Sequence, residues 1–177
     1  VTSSGTCKKT SLSNFSRPRK GGIIAIELRG DDRLVGVEIT SGEHEILLFS
    51  SAGKSIRFRE SDVRSVGRTA IGVRGIRLAD GDKVVSLIVA EATDPILTAT
   101  EKGYGKRTNL DEYRTQARGG SGVISIKTSK RNGKVVGAIQ VTDEDEMMLI
   151  SNKGTLVRAR SSDVSIIGRN TQGVTLI

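Results

Sequence analysis

Short apolar runs, four to eight residues long, alternate with polar turns along the whole chain. Three of them align with one another: EILLFSSAGKSIRFRESDV from Glu45, PILTATEKGYGKRTNLDEY from Pro95 and EMMLISNKGTLVRARSSDV from Glu146. A truncated fourth, VTSSGTCKKTSLSNF, opens the chain, and the anchoring glycines are Gly5, Gly53, Gly103 and Gly154. A second apolar element follows each anchor by 17 to 19 residues: GIIAIEL at Gly22, GVRGIRL at Gly72, GVISIKT at Gly122 and GVTLI at Gly173. A third recurs as LVGVEI from Leu34, VVSLIV from Val84 and VVGAIQV from Val135, each after a turn, RGDDR, ADGDK or RNGK. Runs of Val, Ile and Leu joined by Gly, Asp and Asn are hairpin chemistry. The pattern predicts four short strands per unit and no helix of ten residues or more.

A unit of about fifty residues that repeats is the mark of a stacked or radial array. One such sheet cannot bury both faces; neighbours must do it. The expected fold is therefore all-β, a propeller-like array of four-stranded blades, with approximate repeats 1–44, 45–94, 95–145 and 146–177. Val1 and Ile177 both fall at interrupted strands, so the chain is expected to be part of a larger array, with exposed edges at both ends. The first residue is Val, not Met, which agrees.

Composition narrows the function. Lys and Arg number 28 against 20 Asp and Glu, giving a net charge of +8, which attracts polyanions. Aromatic residues are scarce (three Phe, two Tyr, no Trp). Platforms for stacking single-stranded bases are thus lacking, and a duplex backbone is the better partner. Cys7 is the one cysteine, so no internal disulfide can form. No apolar run approaches the roughly 20 residues of a membrane helix, and no membrane partner is expected. There is no Cys/His cluster for zinc, no calcium loop in TDEDE (142–146), no Walker sequence, and one histidine, His44, in the polar turn SGEHE. Neither a catalytic constellation nor a cofactor site is expected.

The bases keep the register of the repeat. Four residues after each anchor stands Lys9, Arg57, Arg107 or Arg158. In two copies the strand alternates, with Ile56 and Phe58 opposite Arg57 and Arg59, and Val157 and Ala159 opposite Arg158 and Arg160. Alternation predicts an apolar side toward the core and a basic side toward solvent. Lys8 and Lys106 break that rule. A second set of bases precedes the second-element glycines: Arg17, Arg19 and Lys20, then Arg68, Arg118 and Arg169. Evenly spaced bases can match a phosphate backbone; the competing explanation is protection of strand edges.

At GRTAIGVRGIRLADGDKVVSLIV (67–89), ATEKGYGKRTNLDEY (99–113) and GTLVRARSSDVSIIGRNTQGV (154–174) the chain resembles the C-terminal domain of the DNA gyrase A subunit, over essentially its whole length. The resemblance implies a β-pinwheel whose basic rim binds and wraps duplex DNA, in a bacterial, cytoplasmic, nucleoid-associated enzyme. It also implies the rest of the A subunit and the B subunit as partners. This domain would be non-catalytic, serving an ATP-dependent type II topoisomerase that introduces negative supercoils; Tyr104 and Tyr113 would be packing residues. The family carries a box, Q-[RK]-R-G-G-[RK]-G, in its first blade. QARGGSG matches it at Gln116, Arg118, Gly119, Gly120 and Gly122 and departs at Ala117 and Ser121. It lies in a later unit and resembles a degenerate copy of the box, serving either as a turn or as a backbone cradle for phosphate. The related topoisomerase IV domain and a protein-binding propeller with an acidic partner are the alternatives.

Overall fold

The computed structural model describes residues 1–177. Twelve strands account for the regular structure: β1 (Thr6–Cys7), β2 (Glu45–Ser50), β3 (Lys54–Arg59), β4 (Val73–Arg74), β5 (Val84–Ala90), β6 (Ile96–Thr100), β7 (Tyr104–Thr108), β8 (Val123–Ile124), β9 (Val135–Gln140), β10 (Glu146–Ile150), β11 (Leu156–Arg160) and β12 (Val174–Thr175). The only helical pieces are four 3₁₀ turns of three or four residues, at Leu12–Phe15, Glu60–Asp62, Leu110–Glu112 and Ser161–Asp163. The all-β reading holds.

The expected four strands per unit hold only with an exchange between units. One sheet runs β5-β2-β3-β8 and the next β9-β6-β7-β12. In each, three strands come from one repeat and the outermost comes from the repeat after it. Thus Lys54 pairs with Ile124, and Gly105 pairs with Val174. The same exchange joins β4 to β1, by Thr6 with Arg74 and Cys7 with Val73. In the first unit, 22–28 and 34–39 form no strand, although the same elements do so in later units. Their partners explain this: each second element needs the hairpin of the unit before it, and each third element needs its own first strand.

β2 is apolar on both faces because both are covered. Ile46 and Leu48 join Cys7, Ile56, Phe58, Val63 and Ile76 in one core. Leu47 and Phe49 face the other way, onto Ile96, Leu110, Tyr113 and Ala138 of the next unit. A third cluster holds Leu97, Val141, Met147 and Val164. The third-element strands β5 and β9 pack side by side along the inner edge, while β4, β8 and β12 form the outer edge.

Between the edges the sheets have two distinct ends. The β2–β3 turn packs on the turn before β5: Ser51 N donates to Lys83 O at 2.7 Å, and Ala52 N to Asp82 at 2.8 Å. Glu101 N likewise donates to Lys134 O, and Ser3 N to Arg33 O. We call this the turn end. The opposite end carries the 3₁₀ turns and the loops after β5 and β9.

Candidate nucleic-acid interface

The bases four residues after each anchor do not face solvent in the interior units. Stacked sheets bury both faces, so the expected basic side is a joint with the next unit. Arg57 pairs with Glu45 and donates through Nη1 to Leu110 O at 2.9 Å and Tyr113 O at 3.1 Å. Arg107 is 4% exposed, pairs with Asp143, and donates through Nε to Val164 O at 2.8 Å. Lys9 donates to Glu60 O at 3.1 Å and lies 3.8 Å from its carboxylate. All of these carbonyl acceptors belong to the following unit. Arg158, in the last unit, has only Glu146 and stays 67% exposed. Arg57 and Arg107 thus engage their side chains inside the array, while Lys9 keeps 28% of its side chain exposed.

The loop bases form a second ladder. Arg68 Nη1 donates to Ile24 O at 2.7 Å, Arg118 Nη1 to Arg74 O at 2.8 Å, and Arg169 Nη1 to Ile124 O at 2.7 Å. Each acceptor sits two residues after the second-element glycine of the preceding unit. Arg118 also donates through Nε to Asp62 O at 3.0 Å. These three are half-buried rather than free.

The glycine loop 116–122 belongs to the same joint. Gln116 N donates to Arg57 O and Gly119 N to Gly75 O, both at 2.7 Å, while Gly120 O accepts from Arg77 N at 2.8 Å. Gly119 (φ 83°) and Gly122 (φ 69°) are left-handed, and a side chain at Gly122 would overlap the Ser55 carbonyl. The turn reading thus accounts for the glycines. The Gly119 N–H is already bonded within the joint.

Lys106 resolves the broken alternation. It is 0% exposed, and its Nζ donates to Gly168 O and Arg169 O, both at 2.6 Å, and to Thr171 Oγ1 at 3.2 Å. Burial pushes its pKa down to about 8, Glu112 opposing and Arg169 reinforcing. Lys8 does the same in the first unit, on the carbonyls of Ala25 and Arg68. Tyr113 is a packing residue, edge-on to Phe49 at 5.7 Å with its hydroxyl on Ser125. In TDEDE, Asp143 pairs with Arg107 and Glu146 with Arg158. No His/Cys/Asp/Glu group of metal-binding geometry occurs, and no helix is long and apolar enough to cross a membrane.

The remaining bases are exposed and unequally distributed. Arg17, Arg19, Lys20, Arg59 and Arg160 are exposed, as expected. At the end bearing the 3₁₀ turns (11–17, 40–45, 59–65, 91–95, 109–115, 141–146, 160–165) lie 13 of the acids and only five bases, Arg17, Arg59, Arg64, Arg114 and Arg160. At the turn end (29–34, 51–54, 79–83, 101–103, 129–134, 152–154) lie nine bases and five acids. Two of those acids are tied down. Asp82 accepts from Ser51 and Ala52. Asp32 accepts from Ser3 and Ser4; desolvation raises its pKa, but hydrogen bonds from Ser4, Thr2 and Ser3 outweigh it and hold the carboxyl far below the usual range. Arg33, Lys83 and Lys134 recur beside these turns, and Arg131 stacks over Tyr104 at 4.9 Å. Sequence reasoning missed this set because it used those segments only as turns. The signal was there: a base stands one or two residues after Asp32, Asp82 and Asn132. Arg74, Arg77 and Lys127 add exposed charge on the outer edge.

A profile of the DNA gyrase C-terminal domain, beta-propeller, matches residues 1–41, 44–91, 94–142 and 145–177. The whole chain is 60% identical to part of the DNA gyrase A subunit of Salmonella typhimurium, 62% to that of Klebsiella oxytoca and 58% to that of Escherichia coli. It spans 20% of the length of each. Among solved structures, all of this chain superposes on 56% of a DNA topoisomerase IV C-terminal domain (TM-score 0.94, 30% identity). It superposes equally completely on 59% of a DNA gyrase A C-terminal domain (TM-score 0.89, 31% identity). With the repeat, the blade topology and the profile in agreement over nearly every residue, the chain belongs to the family of DNA gyrase A C-terminal domains.

Proposed function

We propose that this chain binds duplex DNA along its outer edge and turn end, within a gyrase whose A and B subunits together introduce negative supercoils into the wrapped DNA. The observation that carries the reading is the segregation of charge. Five bases against 13 acids repel a polyanion from one end, while nine bases against five acids attract it to the other. The contacts go to phosphate, so binding is largely independent of sequence. The domain contributes no catalytic group of its own and acts by holding DNA in place.

The test is a salt titration on duplexes of increasing length, with fluorophores at the two DNA ends. With about five phosphates neutralised, log K falls with log salt at a slope near −4 to −5. End-to-end approach on the longer duplexes supports wrapping. Binding without approach favours the topoisomerase IV type of domain, a reading encouraged by the TM-score of 0.94 and by the loss of two bases from the 116–122 loop. A slope shallower than about −2 rules out a multi-site basic surface and turns attention to an acidic protein partner.

A further inference from the structure

We infer, resting on the duplex reading proposed above, that Arg74, Arg77 and Arg118 form one phosphate-binding site where the second and third units meet, and that this site is the firmest grip along the outer edge. Arg118 comes from the third unit and the other two from the second. Its guanidinium is held at two points: Nη1 donates to Arg74 O at 2.8 Å and Nε to Asp62 O at 3.0 Å. That fixes the plane of the fork and leaves the Nη2 hydrogens without a protein acceptor. The loop that carries Arg118 is pinned to the strand that carries the others. Gly119 N donates to Gly75 O at 2.7 Å, and Arg77 N to Gly120 O at 2.8 Å. Arg74 and Arg77 therefore flank this loop, and both side chains are exposed. None of the five ion pairs of the chain involves any of the three. Three guanidinium groups set around one short loop, with no carboxylate paired to them, repel one another, and an anion relieves that repulsion. The planar fork of arginine matches phosphate oxygens two at a time.

The loop is shaped to seat an arginine. A Cβ on Gly119 would touch Arg74 O at 3.4 Å and Arg74 Cβ and Cδ at 4.0 Å. A longer side chain there would compete with the arginine stem for the same space. The other two joints lack both members of the pair. Thr69 follows Arg68 and Asn170 follows Arg169 where Gly119 follows Arg118, and the edge residues beneath them are Ile24 and Ile124 in place of Arg74. Three positions further on, Arg77 is matched by Glu27 in the first unit and Lys127 in the third. All three joints lie within the chain. The middle one carries three positive charges at these places, the last carries two (Lys127 and Arg169), and in the first Glu27 offsets Arg68.

Fluorescence anisotropy of the 177-residue chain on a labelled duplex, at several salt concentrations, tests the assignment. Arg77→Glu and Lys127→Glu make the same charge change at matching positions of two units. Both side chains are exposed and outside any ion pair, so urea midpoints should stay at the wild-type value. Arg77→Glu should weaken binding about tenfold and Lys127→Glu about threefold. Arg74→Ile combined with Arg77→Glu gives the middle joint the residues of the first. It should weaken binding about 30-fold and make the salt slope shallower by about two. If wild type binds duplex and this double variant binds within about twofold of it at the same slope, the site is refuted while the duplex reading stands. Equal losses from Arg77→Glu and Lys127→Glu refute its rank among the joints. A wild-type chain that binds no duplex even at low salt refutes both the site and the duplex reading.

Discussion

Arg107 and Arg158 occupy the same position in consecutive units, yet replacing each by Met should have very different effects. Met keeps most of the stem volume and removes only the guanidinium. At Arg107 this deletes the 2.8 Å bond to Val164 O, the 3.4 Å bond to Ser162 O and the ion pair with Asp143. Asp143 is 69% exposed and rehydrates at little cost. The carbonyls do not, because they lie in the joint. A charge-assisted bond contributes about 1.5–3 kcal/mol, and a buried acceptor left bare costs about 1–3 kcal/mol, overlapping in part, so the net loss is about 2–4 kcal/mol. With a urea slope of about 1–3 kcal/mol per molar, the midpoint falls by about 1–2 M. Arg158 is 67% exposed and its partner Glu146 42%, so its loss stays within about 0.5 kcal/mol. Urea unfolding followed by circular dichroism separates the two. DNA binding by the folded Arg107→Met variant should keep the wild-type salt slope, since the guanidinium does not reach solvent. If that variant is as stable as wild type and its slope drops by about one, Arg107 holds a phosphate and the staple argument is wrong.

Removing three turn-end bases together (Lys130→Ala, Arg131→Ala, Lys134→Ala) should make the salt slope shallower by about 2–3 with little change in stability, read by fluorescence anisotropy at several salt concentrations. Lys106, lowered to about 8 in the folded protein against an unfolded value of 10.5, binds fewer protons folded than unfolded in that interval. The contribution of Lys106 to stability should therefore rise from about pH 8 to 9.5, while Cys7 and Tyr113, both raised by burial, oppose it; the difference in urea midpoint between wild type and Lys106→Met isolates the Lys106 share and should change in that sense across the interval. Gly122→Ala, at φ 69° against the Ser55 carbonyl, should lose about 2–4 kcal/mol. Gly21→Ala, with nothing within 4 Å and no positive φ, should be neutral or gain about 0.5 kcal/mol in thermal melts.

The all-β architecture and the period of the units were legible because hairpin turns and strand runs are local signals, and the anchoring glycines announce themselves. The exchange of outer strands was not legible. Val123–Ile124 reads as a strand wherever it pairs, and nothing local tells whether its partner lies in its own unit or the one before. The burial of the strand bases was not legible for a related reason. Alternation in KSIRFR separates two faces, but only the stacking of sheets decides that the Arg57 face meets protein instead of water. Lys106, an anomaly on an apolar face, was visible as a breach of pattern, and its explanation needed the carbonyls of Gly168 and Arg169, more than sixty residues away. The turn-end bases lie in segments whose Gly, Asp and Asn already account for a turn, so nothing local marks their charge as a shared surface.

The exchanged outer strand also sets a timetable for synthesis. Lys54 waits for Ile124, so the edge of that sheet has no partner until 70 further residues have left the ribosome. At roughly 5–20 residues per second the edge stays open for about 4–14 seconds. Each new unit closes the one before it and exposes its own edge in turn. The nascent chain therefore always carries one unpaired strand at its growing front. Lys54 and Arg59 at the ends of β3 put charge on that strand during the interval, which discourages neighbouring nascent chains on the same message from pairing with it before the correct partner arrives.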